Sequence, residues 1–208
     1  MQKSKADEKE EFVSKMLSIQ QIMAIYNIPQ GQRERVEQYF SFVYFQKTTS
    51  TIIDHQDLYG LVPNSLIKEI IFHQNNELLL AMFSDFDSEN LIKELSTVLQ
   101  SHVYLPADYI INKGEIGEQM YFIVDGQVLI IAADKQTVVN RLKKGQYFGE
   151  IAIFFSMKRT SYVQADTFCI LNSLRKADLD EIVKSYPLVA KKIQEKTKER
   201  MFELNRFN

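Results

Sequence analysis

The first part of the chain carries apolar residues at helical spacing. Five of them recur at alternating steps of four and three residues, which places them on one helical face: Phe12, Met16, Ile19, Met23 and Tyr26. Pro29 and Gly31 should end this helix. A second helix is predicted over 32–46, with an apolar stripe of Val36, Tyr39, Phe40, Val43 and Tyr44. The two segments together predict a helical hairpin.

Further helical segments are predicted before residue 100. The stretch 48–60 suggests a short helix, and Pro63 stands at the start of the next one, where its missing N–H is harmless. Helical character continues through 78–83 and through 90–100, a segment that Ser88 would cap. The first half of the chain is therefore expected to be all-helical.

From residue 102 the pattern changes to short β-rich stretches separated by turn sequences. The predicted strands include 102–105, 109–111, 120–124, 127–132, 161–166 and 167–173. Five of the seven glycines lie between Gly114 and Gly149, as the tight turns of an all-β unit require. Helical spacing resumes at 176–186, and a final helix follows Pro187. This order predicts an α+β fold built on a compact barrel of about seven or eight strands.

Composition narrows the function classes. With 45% hydrophobic residues among 208, the chain can bury a core, and its net charge of −2 gives no general attraction for nucleic acid. The single Cys169 excludes an intramolecular disulfide, and the three histidines are scattered, so no zinc-type cluster is expected. No apolar run approaches the ~20 residues that span a bilayer. A reducing, cytosolic compartment is expected.

The segment 148–161 combines residues that suit a sugar phosphate. Gly149 permits a backbone turn close to a ligand, and a short helical turn beginning near Ile151 would present N–H groups to an anion. Arg159 offers a planar fork of donors for phosphate, and Glu150 would accept a hydrogen bond from a ribose hydroxyl. On this pattern alone, a surface salt bridge across an ordinary turn is an equally good interpretation.

Several segments of the chain resemble cyclic-nucleotide-binding domains. The residues 148–152 and 159–163 look like the phosphate-binding cassette of that domain, and 105–111, 117–123 and 165–173 resemble its strands. The helical first part, with Val62-Pro63-Asn64-Ser65, resembles the C-linker of hyperpolarization-activated and cyclic-nucleotide-gated cation channels. The resemblance implies a linker over 1–75 and a binding domain over 76–208. In that domain an antiparallel, jelly-roll-like β-roll at about 102–173 precedes C-terminal helices at 176–207, the last of which is a lid.

The resemblance also implies roles for individual residues. Glu150 would bind the ribose 2′-hydroxyl, Arg159 the cyclic phosphate, and the backbone of Gly149, Ile151 and Ala152 the remaining phosphate oxygens. The implied site also contains cassette and base-lining positions: Phe148, Thr160, Ser161, Ile130 and Leu142. Three residues of the last helix would close over the base: Arg200, Leu204 and Arg206.

Two departures from the family pattern bear on the pocket. The loop 154–158, Phe-Phe-Ser-Met-Lys, is bulkier than the small-residue loop common in the family, and Ser161 stands where alanine is frequent. Either would narrow the pocket. The threonine at 160 is compatible with both cAMP and cGMP.

By resemblance, the chain is a non-enzymatic, cytoplasmic regulatory region that binds cAMP or cGMP and gates a cation channel. Its linker helices would assemble as a homotetramer below the pore domain. The main alternative is a nucleotide-independent assembly module of the same fold. A catabolite-activator-type regulator is disfavoured because about twenty residues follow Pro187, too few for a helix-turn-helix domain. A kinase regulatory subunit would carry two such domains in tandem. An enzyme is disfavoured because no nucleophile, base and orienting group cluster in the sequence.

Overall fold

The computed structural model describes residues 5–48, 62–84 and 89–205. The chain divides into two compact units, Met1–Asp54 and His55–Asn208. Helix α3 (Asn64–Phe83) crosses the predicted boundary between residues 75 and 76 without a break. The functional division into linker and binding domain at that position stays a prediction.

The described part of the first unit is a hairpin of two helices, α1 (Lys5–Ile25) and α2 (Gln30–Thr48). Asn27 adopts a left-handed conformation with φ of 51°, which ends α1, and the N–H of Ile28 donates to the Met23 carbonyl at 2.9 Å. The rings of Phe12 and Tyr44 stack with centroids 4.2 Å apart. The predicted hairpin is thus confirmed, although Tyr26 lies beyond the helix end and is 74% exposed.

The described part of the second unit begins with two helices, α3 and α4 (Glu89–Val98). Helix α3 begins directly after Pro63, as the sequence predicts. Of the short helix predicted over 48–60, Thr48 belongs to α2 and the remaining residues lie outside the described part of the chain. Ser88, the predicted cap, also lies outside it.

Eight strands follow in the described chain, and they pair antiparallel throughout. They are β1 (Gln100–Tyr104), β2 (Tyr109–Ile111), β3 (Gln119–Asp125), β4 (Gln127–Ile131), β5 (Val138–Lys143), β6 (Tyr147–Phe148), β7 (Tyr162–Ala165) and β8 (Cys169–Arg175). One sheet has the order β1-β8-β3-β6 and the other β2-β7-β4-β5. The α+β class and the β-roll are confirmed, and the roll consists of two sheets rather than a closed barrel.

One apolar cluster lies between the two sheets and another between the first sheet and the helices. Strand β3 contributes residues to both clusters, because alternate side chains of a strand point to opposite faces. Tyr121 and Ile123 belong to the inter-sheet cluster, whereas Met120 and Phe122 pack against the helices. All four are nearly or fully buried, so β3 appears in the sequence as a continuous apolar run.

Three further helices are described in the unit: α5 (Glu150–Phe154), α6 (Lys176–Val183) and α7 (Pro187–Asn205). Pro187, predicted as a break, is the first residue of α7, a position where its fixed φ is favourable. Ile153 of α5 and Ile193 of α7 share the helical cluster with Leu95 of α4. No helix in the described ranges has the length and apolarity needed to cross a bilayer.

The half-buried His102 of β1 makes stability depend on pH. Its Nε2 lies 2.8 Å from the hydroxyl of Ser173 on the neighbouring β8, and burial lowers its pKa below the ordinary 6.5. Just below pH 6.5 the unfolded chain therefore binds a proton that the folded chain does not. We predict that the free energy of unfolding falls between pH 7.5 and 5.5, and less so in His102→Gln. Urea unfolding of both proteins at the two pH values measures this difference, and equal losses would contradict it.

Candidate ligand-binding site

A cavity of about 400 Å³ opens beside the segment that follows β6. Nine residues that the sequence predicted for the site line it: Ile130, Leu142, Phe148, Gly149, Ile151, Ala152, Arg159, Thr160 and Ser161. Its volume lies within the usual range of small-molecule sites. The structure therefore brings most of the predicted residues together around one space, while their contact with a ligand stays a prediction.

The chain enters the site through a sharp turn between β6 and α5. Gly149 has φ of +85°, a left-handed conformation that residues other than glycine rarely adopt. It directly precedes the first residue of α5. A side chain at this position would also bring a Cβ to 2.9 Å from Nη1 of Arg159. The turn thus needs glycine for its backbone geometry and for the space beside the guanidinium.

Arg159 is the buried cation of the cavity wall, with 7% of its surface exposed. Its Nη1 donates to the carbonyl of Gly149 at 2.8 Å, and its Nη2 donates to the carbonyl of Gln119 on β3. Its backbone is held as well: its N–H donates to the Glu115 carbonyl at 2.8 Å, and its carbonyl accepts from Gly114 at 2.9 Å. The side chain and the backbone of Arg159 are therefore both fixed by neighbouring segments.

Burial is the main influence on the charge of Arg159. Desolvation lowers its pKa, and the electrostatic effects of Tyr121, Glu115 and Glu150 oppose that shift. Arginine stays protonated in proteins because its unperturbed pKa is so high. The cavity wall therefore carries a fixed positive charge in a partly desolvated place, where an anion interacts more strongly than at the surface.

Glu150 is the first residue of α5 and is 3% exposed. It interacts electrostatically with Arg159 but does not line the cavity, unlike its neighbours Gly149 and Ile151. Because Glu150 and Arg159 are both buried, the alternative of a surface salt bridge across an ordinary turn is excluded.

The bulky loop 154–158 does not line the cavity. Phe154 packs instead against the helical cluster. Ser161 does line the cavity. Of the two departures from the family pattern, only the serine therefore bears directly on the space for a ligand.

The structure does not describe the side chains of the three predicted lid residues. Arg206 lies outside the described residues, and the side chains of Arg200 and Leu204 in α7 are outside the described part as well. No side chain that is described in α7 lines the cavity.

Four cavity residues were missed by sequence reasoning: Ile111, Val139, Asn140 and Val163. Ile111 and Val163 are buried members of predicted strands, and strand alternation marks them as inward-facing. Asn140 lies on β5, opposite Ile130 of β4. Strand β5 was not predicted because half of its residues are polar. A predicted pairing of β5 with β4 would have placed Asn140 beside Ile130 and so identified it as a cavity residue.

Other reactive groups have ordinary structural roles. The thiol of Cys169 is buried, and burial raises its pKa, which makes it unreactive. Among the described residues, no three His, Cys, Asp or Glu side chains form a group that could hold a metal ion.

The cavity, its buried arginine and the roll agree with one protein family. Residues 101–186 match the family model of the cyclic nucleotide-binding domain. This segment belongs to the cyclic nucleotide-binding domain family. The match covers all eight strands from the second residue of β1 onward, together with the cavity wall.

Relatives extend the likeness to the helical first part. The chain is 30% identical over 201 residues to the potassium/sodium hyperpolarization-activated cyclic nucleotide-gated channel 4 of Oryctolagus cuniculus. It is 28% identical over 200 residues to channel 2 of the same kind from Mus musculus. Each match covers 95% of this chain but only 16% and 22%, respectively, of the relatives. The predicted resemblance to the linker and nucleotide-binding region of these channels is confirmed, and it indicates a regulatory domain rather than an enzyme.

The binding domain needs a glycine at position 117. A Cβ there would lie 2.3 Å from the Cβ of Ala152 and 3.1 Å from Cζ of Arg159, both in the cavity wall. We predict that Gly117→Ala lowers the free energy of unfolding by about 1–3 kcal/mol, because this close-packed region must shift.

Gly31→Ala is the matched control for this substitution. Gly31 lies in α2 with nothing within 4 Å of an added Cβ, so alanine should be neutral or slightly stabilising there. Thermal unfolding followed by circular dichroism compares the two variants. Equal stability of Gly117→Ala and the wild type would contradict the assigned clash.

Proposed function

We propose that the cavity binds cAMP or cGMP and that this binding regulates a cation channel. The observation that carries the proposal is the buried guanidinium of Arg159 in the wall of a 400 Å³ cavity, inside a domain of the nucleotide-binding family. A cyclic nucleotide has one negative charge, which one fixed cation balances. Most of the other wall residues are apolar, which suits a purine.

The phosphate end of the ligand would lie at Arg159. The two carbonyl bonds of the guanidinium use one N–H each from Nη1 and Nη2, and a guanidinium has five N–H donors. The backbone of Gly149, Ile151 and Ala152 would supply further donors to the phosphate. Glu150 would accept from the ribose 2′-hydroxyl, an assignment that rests on its position in the cassette.

The base would lie against the sheet that contains β4 and β5. Ile130 and Leu142 line the cavity from these strands, and Val163 of β7 pairs with Ile130. Strands are about 4.8 Å apart, so these three residues give a surface wide enough for a purine ring. Thr160 lies beside Arg159, where its hydroxyl would meet the phosphate or the amino group of guanine.

Helix α5 would transmit binding to α7. Ile151 and Ala152 line the cavity, while Ile153 is 1% exposed in the cluster that also contains Val189 and Ile193 of α7. A displacement of α5 by ligand must therefore be accommodated by the packing against α7. In this proposal α7 closes as a lid, and the nucleotide shifts a pre-existing equilibrium by binding the closed state better.

The larger assembly follows from the channel relatives. We propose that the chain lies on the cytoplasmic side of a membrane, below a pore domain, and assembles as a homotetramer through its first helices. Exposed apolar residues on α1 support an assembly role: Val13, Leu17, Ile22 and Ile25.

The first test is isothermal titration of the chain with cAMP and cGMP in parallel. We predict saturable binding that Arg159→Ala weakens by at least about 30-fold, because at least one charge-assisted contact is lost. Arg141→Ala is the matched control: Arg141 is an exposed arginine, paired with Asp166 at 3.0 Å, and its loss should leave affinity unchanged. A folded wild type that binds neither nucleotide would overturn the proposal in favour of the nucleotide-independent assembly module.

The lid requires a separate experiment. The buried residues described in α7 are Val189, Ile193 and Thr197, all before Arg200. Removal of residues 200–208 should therefore preserve the core and weaken nucleotide binding by about tenfold, through loss of apolar and charged contacts over the base. Titration gives the affinity, and circular dichroism confirms the fold. Unchanged affinity would remove the lid from the mechanism.

A further inference from the structure

The cavity wall has one polar side chain on the side where the base would lie. Four of the described lining residues have polar side chains, and three of them, Arg159, Thr160 and Ser161, are consecutive at the end proposed for the phosphate. The fourth is Asn140 of β5. The other lining residues from β4 and β5 are apolar. In a mostly apolar site the few polar groups fix the orientation of the ligand and provide specificity, so Asn140 is a candidate for reading the base.

The register of β5 places Asn140 on the inner face of its sheet. Between β5 and β4, Asn140 pairs with Ile130, and Leu142 pairs with Val128. Val128 and Leu142 are buried between the two sheets, and alternate residues of a strand share a face. Asn140 therefore faces the same space as Leu142, about 7 Å farther along the strand. The pairing becomes irregular directly beyond it, between Ile130 and Ile131, as is common where a strand borders a binding site.

The side-chain amide of Asn140 is oriented by the backbone of the next residue. Its Oδ1 accepts a hydrogen bond from the N–H of Arg141 at 2.8 Å. Because an N–H can donate only to the oxygen of a carboxamide, this bond decides which end of the amide is the oxygen. No residue that the structure describes accepts a hydrogen bond from the Nδ2 group. Asn140 therefore offers a ligand two N–H donors.

A side chain that offers only donors distinguishes guanine from adenine. Along one edge guanine has two acceptors, N7 and O6, whereas adenine has the acceptor N7 and the donor N6–H2. Asparagine recognises adenine when both its oxygen and its nitrogen face that edge. In Asn140 the oxygen is engaged by the N–H of Arg141, so the available donors match N7 and O6 of guanine.

We propose that Asn140 is a specificity-determining residue of the ligand site, which donates to O6 or N7 of the base and favours cGMP over cAMP. This inference rests on the proposed function, because it names the base that the same cavity prefers. It concerns a different edge of guanine from the one that Thr160 would meet, since the 2-amino group lies on the other side of N1 from O6.

Solvent limits the size of this preference. Asn140 is exposed, and β5 is the edge strand of its sheet, so water competes with the base for the Nδ2 donors. One neutral hydrogen bond of this kind changes affinity by a factor of about 3 to 10. The exposed position also means that substitutions of Asn140 leave the buried core unchanged, so the variants should fold.

The test is isothermal titration of the wild type, Asn140→Leu and Asn140→Asp with cAMP and cGMP. The quantity compared is the Kd for cAMP divided by the Kd for cGMP. Leucine has the same branched shape without the donors, so this ratio should fall about 3- to 10-fold. Aspartate replaces the donors with a second oxygen, which accepts from N6–H2 of adenine, so the ratio should fall further. Its negative charge weakens the binding of both nucleotides alike and cancels in the ratio.

Arg141→Ala is the matched control on the same strand. The Arg141 side chain pairs with Asp166 and does not line the cavity, and the substitution keeps the backbone N–H that orients Asn140. Its affinity ratio should equal that of the wild type. A third ligand, inosine 3′,5′-cyclic monophosphate, has the N7 and O6 of guanine but no 2-amino group. Its affinity relative to cAMP should fall in Asn140→Leu by the same factor as that of cGMP.

The outcomes separate this inference from the proposed function. If the wild type binds a nucleotide and both Asn140 variants keep its affinity ratio, the specificity role is wrong and the proposed function stands. A change for cGMP that is absent for the inosine nucleotide would also overturn the specificity role, since the preference would then depend on the 2-amino group. If the folded wild type binds neither cAMP nor cGMP, both proposals are overturned.

Discussion

The binding unit depends on keeping one guanidinium buried and charged. A buried cation is costly unless hydrogen-bonded oxygen atoms replace its water, and Arg159 obtains them from Gly149 at the start of α5 and from Gln119 on β3. Its space depends on two glycines, since a side chain at Gly117 or Gly149 would meet the guanidinium. The turn after β6, strand β3 and the loop before it are therefore constrained together by one side chain.

In the proposed function, a helix of only five residues couples the site to the rest of the unit. Helix α5 is bordered on one side by the cavity and on the other by the helical cluster through Ile153 and Phe154. Close-packed interiors respond to displacement by repacking rather than by absorbing it. A ligand that draws the cassette toward Arg159 must then alter the contacts between α5 and α7, a physical route from phosphate to helix.

The elements that depend on local sequence pattern could be predicted from the sequence. The periodic stripe of α1, Pro63 before α3 and the apolar run of β3 each specify an element through their own residues. Strands β5 and β6 were not predicted, because β5 is half polar and β6 has only two residues. Strand β5 forms because it pairs with β4, and β6 because it pairs with β3, rather than through local preference. The same dependence on tertiary pairing concealed Asn140.

The ligand-free contacts of Arg159 also bear on how affinity arises. If the guanidinium had to leave its carbonyl partners to reach a phosphate, each lost bond would subtract from binding, and the site would be weak despite its charge. The two carbonyls engage one N–H on each terminal nitrogen, so a phosphate can add to the remaining donors while both anchors persist. Binding then requires little reorganisation, and the folded chain has already offset the cost of orienting the side chain. In the proposed function, the site is therefore preorganised on its charged side, and the conformational response comes from the elements around it.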